Sequence, residues 1–500
     1  MVGMQYKSAA YVSDLSSHPD EAGHFVSGLL ITDYVRIGRL QNPLRFAKNY
    51  YVHFPKVAIG HWPPVFHMIQ GTWMLAFGRN KASVFILLAL MAATLAAAVL
   101  RFLLPDCGTM TAAMAATVLA STPFIQTSVS SVMPDLLLSL LAFGAMAAWG
   151  AYLDKGYSRD AILAITLFVA CAATNGRGFA VGLACVLAGS LAARTPAARL
   201  RYRWLTVLAL AIIILPGILG RPLPMTPQLL VYHFAQFGML LVDQLTLPAA
   251  LLALFGAIVV WRARKEEPGW TAILCLLIAL WLFHGLIAIP MESRYLAGSI
   301  PAAVVLIGIG SSHLLRQKSK VITACLALGG CLVIGWNATK FSAKPDLGYH
   351  TLVNGSSNIA RANRISLIAG DPLHEGAYIA EMDLADPLLH HVVLRGSKVL
   401  ASSTWAGNQY RMRFDDAAQV AAYLDRSAVT LVILQNTGPP HVAQLLQAVS
   451  GNSSAWRESE AETVLRNARV FVRVGPLPNA RSPITIDMRD SLGEELRLED

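Results

Sequence analysis

Ala82–Leu104 reads ASVFILLALMAATLAAAVLRFLL, a run with one charged residue, Arg101, at its far end. A transmembrane helix needs about 20 predominantly apolar residues, and this run supplies them. Working outward, further candidate spans are Met110–Thr127, Pro134–Leu153, Asp160–Thr174, Phe179–Ala193, Trp204–Leu219, Leu247–Trp261, Trp270–Ile289, Leu296–Leu315 and Val321–Trp336. The expected fold class is a polytopic α-helical membrane protein of about ten spans, followed by a soluble domain. Composition agrees: of 500 residues 55% are hydrophobic and 14% charged, well short of the quarter or so charged in soluble domains. Three regions follow: an N-terminal segment 1–81 with an acidic motif and interfacial helices, a transmembrane region 82–336, and a soluble region 337–500 where ordinary charge density returns.

Loop charge sets the orientation. Lys155 and Arg159, then Arg194, Arg199, Arg201 and Arg203, then Arg262, Arg264 and Lys265, then Arg316, Lys318 and Lys320 fall in alternate loops. The intervening loops hold only Arg177, Arg221 and Arg294. Basic loops stay cytoplasmic, so segment 1–81, the loops at Arg177, Pro222–Asp243 and Pro290–Tyr295, and the C-terminal domain are expected on the outer side. Segment 1–81 then either crosses unaided or follows a transmembrane helix that precedes Met1; the second is favoured. The net charge of +10 is explained by these anchoring loops, and nucleic-acid binding is not expected. Five of the six cysteines lie in apolar runs and no pair has metal-ligand spacing, which argues against disulfides and a zinc site.

Polar motifs collect on the expected outer face. His18-Pro19-Asp20-Glu21-Ala22-Gly23-His24 reads as a helix start with acids that complement the dipole, or as a reactive face on which Asp20 and His24 sit one turn apart. Gly60-His61-Trp62-Pro63-Pro64-Val65-Phe66-His67 is an extended turn before an interfacial or re-entrant helix, with Trp62 and Trp73 at headgroup depth. Met133-Pro134-Asp135 puts an acid at a helix mouth, where it is costly unless wet or paired. Glu292-Ser293-Arg294-Tyr295 and Thr174-Asn175-Gly176-Arg177-Gly178 present arginines that anchor at the interface or bind phosphate.

In this order the motifs resemble the GT-C membrane glycosyltransferases, in particular the branch related to protein O-mannosyltransferases and the lipid A aminoarabinose transferase. The matching stretches are Pro19-Asp20-Glu21-Ala22, His61-Trp62-Pro63-Pro64, Pro134-Asp135-Leu136-Leu137, Thr174–Gly178 and Glu292–Leu296 with Pro301, over residues 18–336. Relatives often carry a Lys in the turn after Thr174, where this chain has Asn175. The resemblance implies a polyprenyl-phosphate-linked sugar donor, inverting transfer, and a protein, lipid or polysaccharide acceptor. It implies a multi-pass protein of the inner (plasma) membrane with its C-terminal domain extracytoplasmic. Asp20 would be the catalytic carboxylate and Glu21 its support. Asp135, Arg177, Arg294 and Tyr295 would bind donor or acceptor, and His24 and His61 would line the sugar or phosphate site. No cofactor is implied with certainty; a divalent cation is compatible. A lipid or polymer transporter is the alternative. It would place ionisable residues near mid-membrane in repeated halves, whereas here they cluster at helix ends.

In 337–500, Arg364–Ala369, Lys398–Ala401, Val429–Leu434 and Val470–Val474 read as strands, and Asp415–Arg426 and Val442–Val449 as amphipathic helices. A small α/β layer domain is expected.

Overall fold

In the computed structural model the described residues are all except 39–40, 221–226, 287–290, 317–318, 356–358, 403–408, 460–464, 478–483, 489–492 and 498–500. For 211–220, 227 and 487 only the backbone is described. The quoted run forms the first arm of a helical stretch, Lys81–Ser121, that breaks at Gly108, where φ is +76°. Leu103 and Ala115 both lie within 4 Å of the position a Cβ on Gly308 would take. Residues twelve apart on a straight helix are separated by roughly 18 Å, so the chain folds back at Gly108. Glycine suits that turn because positive φ costs it nothing. The second arm stops at Ser121, short of the expected Thr127, because Thr122 accepts the Ile125 amide and Pro123 opens a new helix, Pro123–Val129.

Four described helices are long and apolar enough to cross a membrane: Lys81–Ser121, Asp135–Lys155, Pro268–Leu286 and Lys320–Thr339. A bent pair, Gln228–Leu245 and Leu247–Arg262, makes a fifth. Among the described residues, length and composition thus do not confirm the expected count of about ten. Ser158–Ala172 and Phe179–Ala192, at 15 and 14 residues, fall below the 20 or so a span needs. The expected span Trp204–Leu219 lies within Pro196–Gly220, and its side chains from residue 211 on lie outside the described residues.

The expected outer loop Pro222–Asp243 is corrected. Residues 222–226 lie outside the described set, but Pro227–Leu245 is a helix that meets the next one at 113°. His233, Gln236, Asp243 and Gln244 dilute its hydropathy and made it read as a loop. Its turns nevertheless bury His233, Phe237, Gln244 and Leu245 while leaving Val231, Tyr232 and Met239 exposed.

Close packing within the bundle depends on two glycines. A Cβ on Gly256 would stand 1.9 Å from the Leu306 carbonyl oxygen, and one on Gly310 would stand 2.8 Å from that of Leu252. Helices Leu247–Arg262 and Ser299–Leu315 thus touch backbone to backbone, as small residues allow in membranes. Gly256→Leu is expected to force them apart and cost about 1–3 kcal/mol, the range for overpacking. The check is the denaturation midpoint of the full chain in detergent, with Gly329→Leu, where nothing lies within 4 Å, as the near-neutral comparison.

The C-terminal domain is built on a five-stranded sheet in the order 392–395, 365–369, 431–435, 468–473, 456–458. Ile365–Ala369 pairs parallel with both Val392–Arg395 and Leu431–Gln435, and Ala468–Arg473 joins antiparallel. The α/β expectation holds for this domain. Lys398–Ala401, expected as a strand, is instead a helical turn, Gly396–Val399, followed by a two-residue strand. The strand at that edge is Val392–Arg395. The longest helix of the domain, Pro372–Ala385, was not foreseen. It is capped by Asp371, whose side chain accepts the Leu373 and His374 amides. Its His374, Glu375, Glu381 and Asp383 give it a polar sequence, yet all four are buried.

Part of that burial is the contact between the domain and segment 1–81. Helix Pro372–Ala385 packs on Glu21–Asp33, and a Cβ on Gly376 would meet the Ala22 Cβ at 3.1 Å and Lys56 Cε at 2.9 Å. Charged pairs bridge the seam. Arg79 binds Asp33 and Asp383 at 2.7 and 3.0 Å, and Lys81 binds Glu381 at 2.7 Å. Asp14 accepts the amides of Leu347, Tyr349 and His350. The acidic motif and the C-terminal domain therefore form one surface.

Candidate active site

Helix Glu21–Asp33 begins one residue after Asp20, yet Asp20 makes no side-chain capping bond. An Asp at this position ordinarily accepts a first-turn amide, so the capped-surface-helix reading does not describe it. Its carboxylate instead faces Arg294, with Oδ2 3.3 Å from Nη1. Both line a cavity of about 400 Å³ together with His24, Trp62, Arg177, His284 and Tyr295.

Each arginine is held in place. Asn175 Oδ1 accepts from the Arg177 amide at 3.0 Å and from Nε at 3.2 Å. Arg177 Nη1 donates to the Arg294 carbonyl at 3.1 Å, and Nη2 lies 3.1 Å from Asp135 Oδ1. Gly178 makes the turn possible, since a Cβ there would stand 2.4 Å from the Cys171 backbone. Arg294 Nε donates to Glu292 Oε2 at 2.6 Å. Both guanidinium groups lie over the Tyr295 ring, at 4.6 and 5.3 Å from its centroid, and His284 stacks on Tyr295 with rings 1° from parallel. The result is two cations fixed against one aromatic ring at the cavity wall.

The histidines divide. His24 is buried, with Nδ1 2.9 Å from His67 Nε2, and Trp62 stacks on it at 3.8 Å. Gly23 makes room for that ring, because a Cβ there would meet Trp62 at 3.0 Å. Burial, then the charges of His67 and of Arg294, hold the His24 imidazole well below its ordinary range. Burial brings His67 down to about 4. His18 lies at the cavity edge, 3.3 Å from Glu292, and burial with Arg294 lowers it too. Burial would raise the Glu292 carboxyl, but Arg294 and His18 outweigh that and hold it low.

Three expected site residues, Glu21, His61 and Asp135, do not line the cavity. Glu21 is fully buried and points away from the cavity, its carboxylate on Lys344 and on the Ser17 and Val132 amides. His61 is exposed and is not among the cavity-lining residues, although its neighbour Trp62 is. A one-residue step turns the side chain away from the pocket that Trp62 fills. Asp135 stands behind Arg177 as its counter-ion, 1% exposed. The sequence pointed to Asp20, His24, Arg177, Arg294 and Tyr295, and the structure brings them together. It did not single out His284, which sits inside an apolar helix with no motif around it.

Among the described residues no group of three or more His, Cys, Asp or Glu could hold a metal ion. The acids at the cavity each face an arginine, so this donor set does not suit a divalent cation.

His67 sets a pH dependence of stability. Its folded value near 4 lies below the ordinary 6.5, so between these values the unfolded chain binds more protons and stability is lost as pH falls. The thermal midpoint is expected to drop as pH falls from about 6.5 to 4, and to drop less steeply in His67→Gln. Equal slopes in the two proteins would contradict it.

The fold is that of the GT-C proteins, as its solved neighbours show. Solved structures match it over nearly its whole length. ArnT from Cupriavidus metallidurans in the apo state is 14% identical, with a TM-score of 0.57, over 96% of this chain and 97% of that one. The same protein bound to undecaprenyl phosphate is 13% identical at 0.57, over 96% and 98%. The archaeal oligosaccharyltransferase AglB from Archaeoglobus fulgidus, in complex with an inhibitory peptide and a dolichol-phosphate, is 12% identical at 0.52, over 95% and 74%. No family model matches the chain, and no curated protein does. At these identities the likeness is one of fold.

Proposed function

We propose that the protein is a membrane glycosyltransferase that moves a sugar from a polyprenyl-phosphate donor to an acceptor at the outer face of the inner membrane, with inversion. The observation that carries this reading is the uncapped carboxylate of Asp20 facing Arg294 across the wall of one cavity. A proton acceptor and a phosphate-binding cation within one site are what displacement of a lipid phosphate needs. The lipid phosphates bound to ArnT and AglB support the donor class.

In this reading the donor phosphate takes the guanidinium groups of Arg294 and Arg177, which bind phosphate oxygens in a fork. Arg294 then leaves Asp20 free to accept a proton. The acceptor hydroxyl or amine gives that proton to Asp20 as its oxygen or nitrogen bonds to the anomeric carbon. The bond from that carbon to the phosphate oxygen breaks, and the electron pair leaves with the polyprenyl phosphate. Attack opposite the leaving group inverts the centre and needs no glycosyl-enzyme intermediate. Trp62, over His24, offers an apolar face to the sugar ring.

The test uses the full chain in nanodiscs with a panel of undecaprenyl-phosphate sugars and an envelope extract as acceptor source. Release of undecaprenyl phosphate with a glycosylated product is expected for at least one sugar. No release from any, while the lipid crosses the bilayer instead, would establish the transporter reading.

A further inference from the structure

Asp20 and Asp135 belong to loops 115 residues apart in the chain, yet one buried side chain ties the two loops together. Glu21 Oε2 accepts the Ser17 amide at 2.8 Å, from the loop that carries Asp20. Glu21 Oε1 accepts the Val132 amide at 3.0 Å, three residues before Asp135. Lys344, from the connection between the last transmembrane helix and the C-terminal domain, binds Glu21 Oε1 and also donates to the Ser130 carbonyl at 3.2 Å. Its own amide donates to the Ser8 carbonyl at 2.8 Å. The two side chains are 0% and 1% exposed. Successive residues at a helix start point in different directions, so Asp20 can face the cavity while Glu21 faces this junction.

We propose that Lys344 and Glu21 are positioning residues that set the separation of the Asp20 loop from the Asp135 loop, so that attachment of the C-terminal domain and assembly of the catalytic cavity are one event. Asp135 orients Arg177, and Asp20 meets Arg294, whose carbonyl Arg177 binds. A shift between the loops therefore changes the distance from the proton acceptor to the phosphate-binding arginines. A displacement of about 1 Å in such a site lowers turnover by about a hundredfold. Donor binding changes little, because both arginines keep their own local supports in Asn175 and Glu292.

The inference rests on the proposed transfer reaction only for its kinetic arm, so the experiment has two arms on the full chain in nanodiscs. Hydrogen–deuterium exchange of peptides spanning 15–22 and 128–136 reads the junction directly. In Lys344→Met the Ser17 and Val132 amides are expected to lose protection, while in Lys344→Arg they keep it. In the kinetic arm, with the sugar donor that the wild type uses, Lys344→Met is expected to lower kcat by about a hundredfold with KM for the donor within about threefold. Lys344→Arg should recover most of that loss. If Lys344→Met fails to fold, Glu21→Gln, which keeps the shape and removes the charge, is expected to give the same loss of protection and the same split. Unchanged protection in both variants overturns the proposal, as does a kcat loss that Lys344→Arg does not recover. Lost protection in a protein whose wild type transfers no sugar supports the junction and counts against the enzymatic reading alone.

Discussion

Asp20→Asn is expected to lower sugar transfer by about a thousandfold, within the range that a positioned general base contributes. The substitution keeps the size of the side chain and a hydrogen-bonding oxygen for Arg294 Nη1, now 3.3 Å away, and removes the negative charge together with the capacity to accept a proton. Since Asp20 makes no capping bond, the helix start loses nothing and the thermal midpoint should hold. Donor binding, carried by Arg177 and Arg294, should hold too. His61→Ala provides the contrast, since His61 does not line the cavity, and its turnover is expected to stay near wild type. The measurement is initial rate against donor concentration in nanodiscs. Turnover above a tenth of wild type in Asp20→Asn would remove Asp20 from the catalytic role.

The second large effect is on stability and belongs to Arg79. Its guanidinium lies between Asp33 and Asp383, and the three side chains are 6%, 1% and 0% exposed. The Tyr50 hydroxyl sits 3.0 Å from Asp33 Oδ2 and 2.6 Å from Asp383 Oδ1, and donates its one proton between them. Arg79→Met leaves two buried carboxylates facing each other, and breaking a buried pair this way costs about 3–5 kcal/mol. The exposed pair Arg469–Glu458, on the sheet edge, is worth less than about 1 kcal/mol by the same reasoning. Burial, with Asp33 nearby, already holds the Asp383 carboxyl well above its ordinary range despite Arg79, and removing the cation raises it further. An acid whose folded value is raised holds its proton in the folded chain at pH values where the unfolded chain has lost it. Stability then falls as pH rises through that window. The deficit of Arg79→Met should therefore be largest at neutral pH and shrink on acidification. Denaturation midpoints of both proteins from pH 5 to pH 8 check this; a deficit that grows in acid would be the wrong sign.

Much of the site was legible because its parts are local. Asp20 with His24, Asn175 with Arg177, and Glu292 with Arg294 are each within one turn of chain, and each pair reaches the cavity or supports a residue that does. His284 and the counter-ion role of Asp135 were not legible. His284 is one polar residue in the apolar helix Pro268–Leu286, and it lines the cavity stacked on Tyr295, from a different element. Glu21 adjoins Asp20 in the chain, but adjacency on a helix start does not give a shared direction. Helix Pro372–Ala385 was missed for a related reason. Its acids look like a solvated surface, and partners that arrive from elsewhere, among them Arg79, Lys81 and Arg395, offset their burial.

The amino-acid sequence by itself determined that the chain enters a bilayer, where its acidic and arginine motifs lie along the chain, and that an α/β domain follows the last membrane helix. These depend on transfer of apolar runs into lipid and on periodicity within single elements, and both are properties of neighbouring residues. Tertiary structure alone decided that the run 82–121 turns back at Gly108, that Pro227–Leu245 is a helix bent against its successor, and which charge meets which. Lys344 finds Glu21 across 323 residues and Arg294 finds Asp20 across 274. Buried ions need a partner wherever the fold can supply one, and the choice of partner is set by packing of distant elements rather than by local sequence.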